Sequence, residues 1–529
     1  MGPFFWLGNP SGHDFEFHLN SWMEVLRQWQ HGILYPRWAA FAHATYGEPR
    51  FVFYPPFSWT LGAILGAFLP WKAAPGAYVL LVSVLSGCAM FLLARTWLER
   101  RDAIFAAVFY GISPYAIVVV YWRSALAELL AGALLPLLLL WVLRIRERGR
   151  ATIIPLAIIL AAAWLTNLPA AVMIHYSLAL MILMLAVTER TPKVFVYGAG
   201  AVLLGAMLAA FYLVPVAYEI KWVNISEVLA PGVRPQDNFL FTTINDADHN
   251  RFNFLISLVA AAEIVALAGV IAISGAFRKA YKLQWRAIVT WGVASVLLML
   301  PVTNVAWEHL PKLRFVQLPW RWLLCLNVVL ALLLATAVRR WALRILLCLA
   351  MLSTIWYGWR RVQAPWWDQA ADIKEMQDNI QDDLGYEGTD EYVPAGADPY
   401  EIDKSAPRLL FEPPVRGDLK VRVWEPESKS FTAQLTEPGN VLMKLFNFPA
   451  WRVIVNGRAT AVQSREETGQ LVIPLPAGRS DVEVRFARTR DRIWGGILSL
   501  VAFICLTCLM VFDRRAMHVK RPLAGAPSV

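Results

Sequence analysis

Residues 121–150 read YWRSALAELLAGALLPLLLLWVLRIRERGR, and their order decides the architecture. The run 126–143 is apolar except for Glu128. As a helix rising 1.5 Å per residue it spans about 27 Å, enough for the hydrocarbon core of a bilayer. Aromatic residues Tyr121 and Trp122 lead into it, and Arg144, Arg146, Arg148 and Arg150 follow it. Indole and phenol rings favour the membrane–water interface, and arginines collect on the cytoplasmic side. The stretch is therefore read as one spanning helix running from outside to inside.

The same pattern extends in both directions. Apolar runs lie at 75–94, 103–120, 126–143, 152–165, 168–187, 194–213, 254–274, 287–300, 320–338, 345–359 and 494–512, about eleven spans in all. Basic clusters separate them in pairs: Arg95/Arg100/Arg101, the four arginines above, Arg190/Lys193, Arg278/Lys279/Lys282/Arg286, Arg339/Arg340/Arg344, and the tail Arg514/Arg515/Lys520/Arg521. Placing all six in the cytoplasm satisfies the positive-inside rule along the whole chain. The composition agrees, with 57% hydrophobic and 17% charged residues where a soluble domain carries about 25% charged. That excludes a soluble multidomain enzyme. The net charge of +10 comes from the inter-helix clusters and forms no basic stripe, so nucleic acid is not a partner. The five cysteines all fall in apolar runs, including the Cys505/Cys508 pair, which reads as two small helix residues rather than a metal or redox motif.

This orientation divides the chain into four. Residues 1–53 form an outer loop with juxtamembrane helices. Residues 54–359 form the transmembrane core, within which 54–71 is a re-entrant or interfacial helix, since a full crossing there would turn Arg95–Arg101 outward. Residues 360–490 form a soluble domain on the same outer face, β-rich from about 415, where alternating runs are bounded by Asn456-Gly457 and Ala477-Gly478 turns. Residues 491–529 form a final span and a basic cytoplasmic tail. The fold class is mainly α, a polytopic helical bundle with a small β-sandwich-like domain before the last helix. A further helix is expected upstream of Met1, because a polar loop does not cross a membrane unaided.

Ionisable residues concentrate at the outer ends of the helices. His13, Asp14, Glu16 and His18 crowd into six positions. Asp14 is suited either to cap a helix over 15–30 or to act as general base or metal ligand. Arg123 and Glu128 flank the mouth of two apolar helices, where a charge faces a site or a partner; a structural ion pair is the plain alternative. Arg314, Gln317 and Arg321 sit among aromatic residues in LRFVQLPWRW, fit either to hold a phosphate or to anchor the interface. His175 is read as packing, and Asn167 as support for a helix end.

The order of His13-Asp14, Tyr35-Pro36-Arg37-Trp38, Phe53-Tyr54-Pro55-Pro56, Tyr121–Glu128 and Leu313–Arg321 resembles bacterial membrane proteins of the GT-C glycosyltransferase superfamily. Within it, the group carrying the label of a 6-pyruvoyl-tetrahydropterin synthase-related domain is the most similar. Phe448-Pro449-Ala450-Trp451 through Asn456-Gly457-Arg458, with Leu475-Pro476-Ala477-Gly478 and the final helix, resembles the outer β domain of YfhO-type proteins. The resemblance implies a bacterial inner-membrane transferase that moves a sugar from a polyprenyl-phosphate donor to a glycan, lipid or protein acceptor on the outer face. It implies catalytic roles for Asp14 and Glu128, and substrate contacts from His13, Glu16, His18, Arg123, Arg314, Gln317 and Arg321. A divalent metal, magnesium or manganese, on Asp14 is the cofactor it admits, although the family's acidic pair is not reproduced. A lipid or glycan transporter or flippase, and a non-catalytic glycan-assembly protein, are the competing readings. The confinement of polar residues to the outer helix ends favours the enzyme.

Overall fold

The computed structural model describes residues 2–413 and 415–519, with side chains as far as residue 511. Among these residues nine helices are long and apolar enough to cross a membrane: Ala74–Ala94, Arg100–Arg123, Leu126–Leu143, Ile145–Thr166, Leu168–Glu189, Ala247–Ile273, Pro319–Ala337, Trp341–Val362 and Arg490–Val511. Two further apolar pairs, Lys193–Leu208 with Ala210–Trp222 and Lys282–Leu298 with Pro301–His309, bend by 77° and 91°. Each corresponds to one expected run, so the eleven runs of the sequence reappear among the described residues as nine candidate spans and two sharply bent pairs. Pro301 opens the second half of its pair, where its ring cannot continue the preceding helix. The side chains of Arg514 and Arg515, and residues Lys520 and Arg521, lie outside the described part.

Local chemistry explains the breaks. Asn167 ends one span and starts the next: its side chain accepts from the backbone N–H of Ala170 at 2.9 Å, an N-cap that satisfies one of the orphan donors of helix Leu168–Glu189. His175 Nδ1 donates to the Ala171 carbonyl, 2.8 Å away, and the ring packs against Trp164, as a packing residue should. The basic loops neighbour one another. Arg344 Nη1 lies 2.5 Å from Asp102, Arg101 covers the Trp341 ring, and Arg146 faces Glu189.

At the opposite end of the bundle, helix α1 (Phe15–Gln30) packs over the short apolar helix α2 (Pro56–Phe68). Trp22 of α1 rests on Gly62 of α2, where a Cβ would sit 1.9 Å from the indole. At 13 residues α2 is too short for a full crossing.

The β domain is a sandwich. One sheet runs in the order Leu409–Phe411, Gly439–Phe446, Gln470–Leu475, Gln463–Ser464; the other runs Gly417–Glu425, Ser428–Leu435, Gly478–Phe486, Trp451–Val455, Arg458–Thr460. All described pairings are antiparallel. Phe431, Ala433 and Leu435 alternate inward and meet Val441, Met443 and Ile473 in the core, the period-two burial of a one-sided sheet. The hairpin Trp451–Val455/Arg458–Thr460 turns at Asn456 (φ 50°) and Gly457 (φ 79°), the two positive φ angles of a type I′ turn. Trp38, Tyr46, Val52 and Phe53 from the segment after α1 belong to the same apolar cluster as the sandwich. Helix Ala370–Gln381 lies ahead of the β-rich part of this domain.

Candidate active site

The site is built at the β-domain end of the bundle by a loop laid on a distorted helix end. The span Arg100–Arg123 finishes in a π turn over Val119–Arg123, and Ser124 then adopts a left-handed conformation (φ 48°). One-turn π segments commonly occur at functional sites because they redirect side chains. Residues 9–14 lie directly across this turn. The Gly12 N–H donates to Ser124 Oγ at 3.0 Å, Ser124 Oγ donates to the Pro10 carbonyl at 2.7 Å, and the Asp14 N–H donates to the Arg123 carbonyl at 2.9 Å. Only glycine allows this approach: a Cβ at residue 12 would sit 2.4 Å from the Trp122 carbonyl oxygen. The loop is held from its other side by a two-residue antiparallel pairing, Asn9 with Asp368 and Pro10 with Trp367.

Behind the turn lies a charged cluster. Arg123 Nη1 is 2.5 Å from Glu128 Oε2, and Arg321 Nε is 3.0 Å from the same oxygen. The Tyr115 hydroxyl donates to Glu128 Oε1 at 2.6 Å. Arg321 Nη1 also donates to the Val316 carbonyl and to Gln317 Oε1, at 2.6 and 3.0 Å, and Gln317 Nε2 donates to the Val228 carbonyl. Arg123 stacks 4.9 Å from the centre of the Trp320 ring. The three charged residues are 2–8% exposed. Two guanidiniums share one carboxylate, so the cluster carries an excess positive charge in a desolvated place. The bonds of Arg123 leave from Nη1 and those of Arg321 from Nε and Nη1, outside which each keeps an Nη2.

Asp14 is half-buried at the N-terminus of α1, within Coulomb reach of Arg123 and Arg321. Its side chain makes no capping hydrogen bond, so helix capping does not explain it. Nor does it form an ion pair among the described residues. It is a carboxylate left uncommitted beside two arginines.

The other candidates divide. Gln317 joins the cluster through Arg321. His18 is buried against Trp22 and Tyr54; burial pushes its imidazole down to about 4, so it is neutral at pH 7. His13 is exposed, edge-on to Phe252 at 4.6 Å. Glu16 points to solvent. Arg314 is exposed over its own neighbour Phe315 and stands apart from Arg123 and Arg321, as an interface anchor does. Asp14 is the one residue expected to hold a metal, and among the described residues no three His, Cys, Asp or Glu side chains converge.

Three groups not singled out in the sequence matter here. Tyr115 completes the Glu128 cluster. Its phenol in an apolar run gives no signal of its own. A second network fixes α1 from behind: Arg50 Nε to Glu48 at 2.5 Å, His43 Nε2 to Glu48 at 2.9 Å, Arg50 Nη1 to Ser21 Oγ at 3.0 Å, and Tyr386 hydroxyl to Glu24 at 2.5 Å. Burial would raise Glu48, but Arg50 and His43 outweigh it and hold the carboxyl at about 2, whereas burial pushes Glu24 up to about 7. The signal available was Arg50 immediately before an apolar Phe-Val-Phe run. Third, Glu263 lies midway along Ala247–Ile273, fully buried, with neither carboxyl oxygen hydrogen-bonded.

The chain is similar over 68% of its length to the arabinofuranosyltransferase AftD from Mycobacteria (17% identity, TM-score 0.42) and over 73% to an oligosaccharyltransferase from Archaeoglobus fulgidus (13% identity, TM-score 0.40). It spans 26% and 54% of those two chains. No curated protein matches its sequence. Residues 51–360, more than half of the chain, match the family described as 6-pyruvoyl-tetrahydropterin synthase related domain, membrane protein. With its run of apolar helices and that match, the chain belongs to this membrane protein family.

Proposed function

We propose that this protein is a GT-C-type glycosyltransferase that moves a sugar from a polyprenyl-phosphate donor to an acceptor on the extracytoplasmic face. One observation carries the reading: the uncommitted Asp14 carboxylate held by its own backbone against Arg123, beside a buried cluster with excess positive charge. The apolar bundle below offers a place for a prenyl chain, and the polar loop above offers a place for sugar.

In the reaction, the acceptor hydroxyl oxygen forms a bond to the anomeric carbon. The bond from that carbon to the phosphate oxygen breaks, and its electron pair leaves with the polyprenyl phosphate. Asp14 takes the hydroxyl proton, and Arg123 with Arg321 receives the departing phosphate charge. Glu128 positions both guanidiniums and does not itself touch the reacting atoms. Asp14 is the residue that would hold a magnesium or manganese ion, and such an ion would supply charge stabilisation to the leaving phosphate in place of proton abstraction at Asp14.

The test is transfer from a radiolabelled polyprenyl-phosphate sugar by the full chain in lipid nanodiscs. Asp14→Ala is expected to lower turnover about 10²–10⁴-fold, the usual worth of a positioned base, with unchanged thermal unfolding. Full activity of that variant would remove Asp14 from the reaction.

Transport is the second reading, and Glu263 favours it. A carboxyl buried in mid-span, with only the neutral Asn327 side chain and the Tyr115 backbone beside it, is costly, and such groups mark ion or substrate paths in many membrane proteins. Substrate crossing a vesicle membrane without covalent transfer, and lost in Glu263→Gln, would put this reading first.

A further inference from the structure

A cleft of about 280 Å³ lies between the C-terminal half of α1 and the β domain. Its walls come from α1 and the segment after it on one side, and from strand Gly417–Glu425, strand Ser428–Leu435 and residues 406–408 on the other. Four basic side chains line it, Arg27, Arg408, Lys429 and Lys444, and burial pulls the Lys429 amine down to about 7. Two carboxylates oppose them. Asp383 is shared by Arg27 at 3.4 Å and Arg408 at 2.8 Å, and Glu425 faces His31. Lys429 and Lys444 have carbonyl partners only.

Lys429 is the unusual member. It is 3% exposed, with its ammonium 5.5 and 4.7 Å from the centres of the Trp424 and Trp451 rings. Two of its three N–H bonds go to the carbonyls of Glu425 and Pro426, both at 3.0 Å, which leaves one. A fixed amine with no carboxylate hydrogen-bonded to it, and with Glu427 and Glu425 only within Coulomb reach, gains its proton when a ligand brings negative charge into this aromatic-lined cleft, where Arg27, Arg408 and Lys444 already outnumber Asp383 and Glu425. The volume lies near the lower end of ligand pockets. Half-buried Trp424 offers an apolar face for a ring to lie on. Arg27 is 13 residues along α1 from Asp14, about 20 Å at the helical rise.

We propose that this cleft binds an acidic saccharide, one bearing carboxylate or phosphate groups, as the remote end of the acceptor. The acceptor role rests on the transferase reading; the binding does not. A sugar is favoured over a plain polyanion because the cations stand beside indole rings rather than on an open basic surface. It is favoured over a lipid headgroup because the cleft opens between α1 and the sandwich rather than onto the helical bundle.

The probe is a galacturonic-acid oligosaccharide, titrated into the full chain in nanodiscs and followed by tryptophan fluorescence and calorimetry. Binding is expected, at least tenfold weaker in Lys429→Met and in Arg408→Gln, and weaker at high salt. Lys444→Gln, at a half-buried position, is expected to weaken binding in a chain whose folding it leaves intact. A neutral maltooligosaccharide of the same length and polyglutamate are expected to bind at least tenfold more weakly than the probe. Failure of the probe to bind overturns the proposal, as does equal affinity for either control or wild-type affinity in Lys429→Met and Arg408→Gln. Asp14→Ala should bind the probe normally, and a wild-type chain that binds it through Lys429 yet transfers no sugar would sink the catalytic reading and leave the cleft standing.

Discussion

Glu128 holds two arginines with one side chain, and its removal separates structural from catalytic roles. Replacing it by glutamine leaves two nearly buried guanidiniums without a counter-charge. Breaking a buried pair in this way costs about 3–5 kcal/mol, and denaturant unfolding in detergent should show a loss of that order for Glu128→Gln. Replacing all three charged residues together, Arg123→Met, Glu128→Leu and Arg321→Met, should cost much less stability while abolishing transfer. That contrast would identify the cluster as one retained for chemistry. Glu24 gives a pH signature. Its folded carboxyl is raised from 4.5 to about 7, so the folded state holds its proton more tightly than the unfolded chain. The associated stability is fully present below pH 4.5 and is lost as pH rises through 7, a change of about 3 kcal/mol. Glu24→Gln should flatten that part of the stability–pH curve, measured by thermal unfolding between pH 4.5 and 7.5. Charges in apolar surroundings were legible residue by residue, which is why Asp14, Arg123 and Glu128 stand out in the sequence. The pairing of Gln317 with Arg321 and the isolation of Arg314 were not. Both arginines sit in the same aromatic belt, and only the short helical turns over Leu313–Val316 and Pro319–Trp322 decide which faces inward.

At the level of elements, spans and strands were readable because each carries a sustained period. The apolar runs near 20 residues became helices, and the alternating runs 431–435 and 481–486 became strands Ser428–Leu435 and Gly478–Phe486. The pairing of Asn9–Pro10 with Trp367–Asp368 was not readable, since two residues carry no period and their partners are more than 350 positions away. The π turn at Val119–Arg123 was equally hidden, being one extra residue per turn at the end of an apolar run. Yet these two irregular elements place Asp14. Gly12→Ala tests them directly. A methyl group there must move the loop off the Trp122 carbonyl, at a cost of a few kcal/mol confined to the loop. Transfer should fall more than tenfold while the main unfolding transition shifts little.

For the whole molecule, the placement of Asp14 and the β domain outside is a claim about topology, argued from positive charge alone. Single cysteines introduced at Glu16 and Glu483, both away from the core, in a chain with its native cysteines replaced, should react with a membrane-impermeant maleimide in intact cells. A cysteine at Arg148 should react only after permeabilisation. The reverse pattern would invert the orientation and remove the extracytoplasmic site. The sandwich is not an independent appendage either. Trp38 and Tyr46, from the segment after α1, fill its core, so loop and domain fold against each other.

The short ladder between Asn9–Pro10 and Trp367–Asp368 also governs timing. During synthesis the strand that positions the Asp14 loop has no partner until the ribosome has added more than 350 further residues and nearly every helix of the bundle has emerged. At 5–20 residues per second that interval is roughly 20–70 s. A nascent chain that stops short of residue 367 can therefore insert much of the bundle yet carry an unformed Asp14 loop.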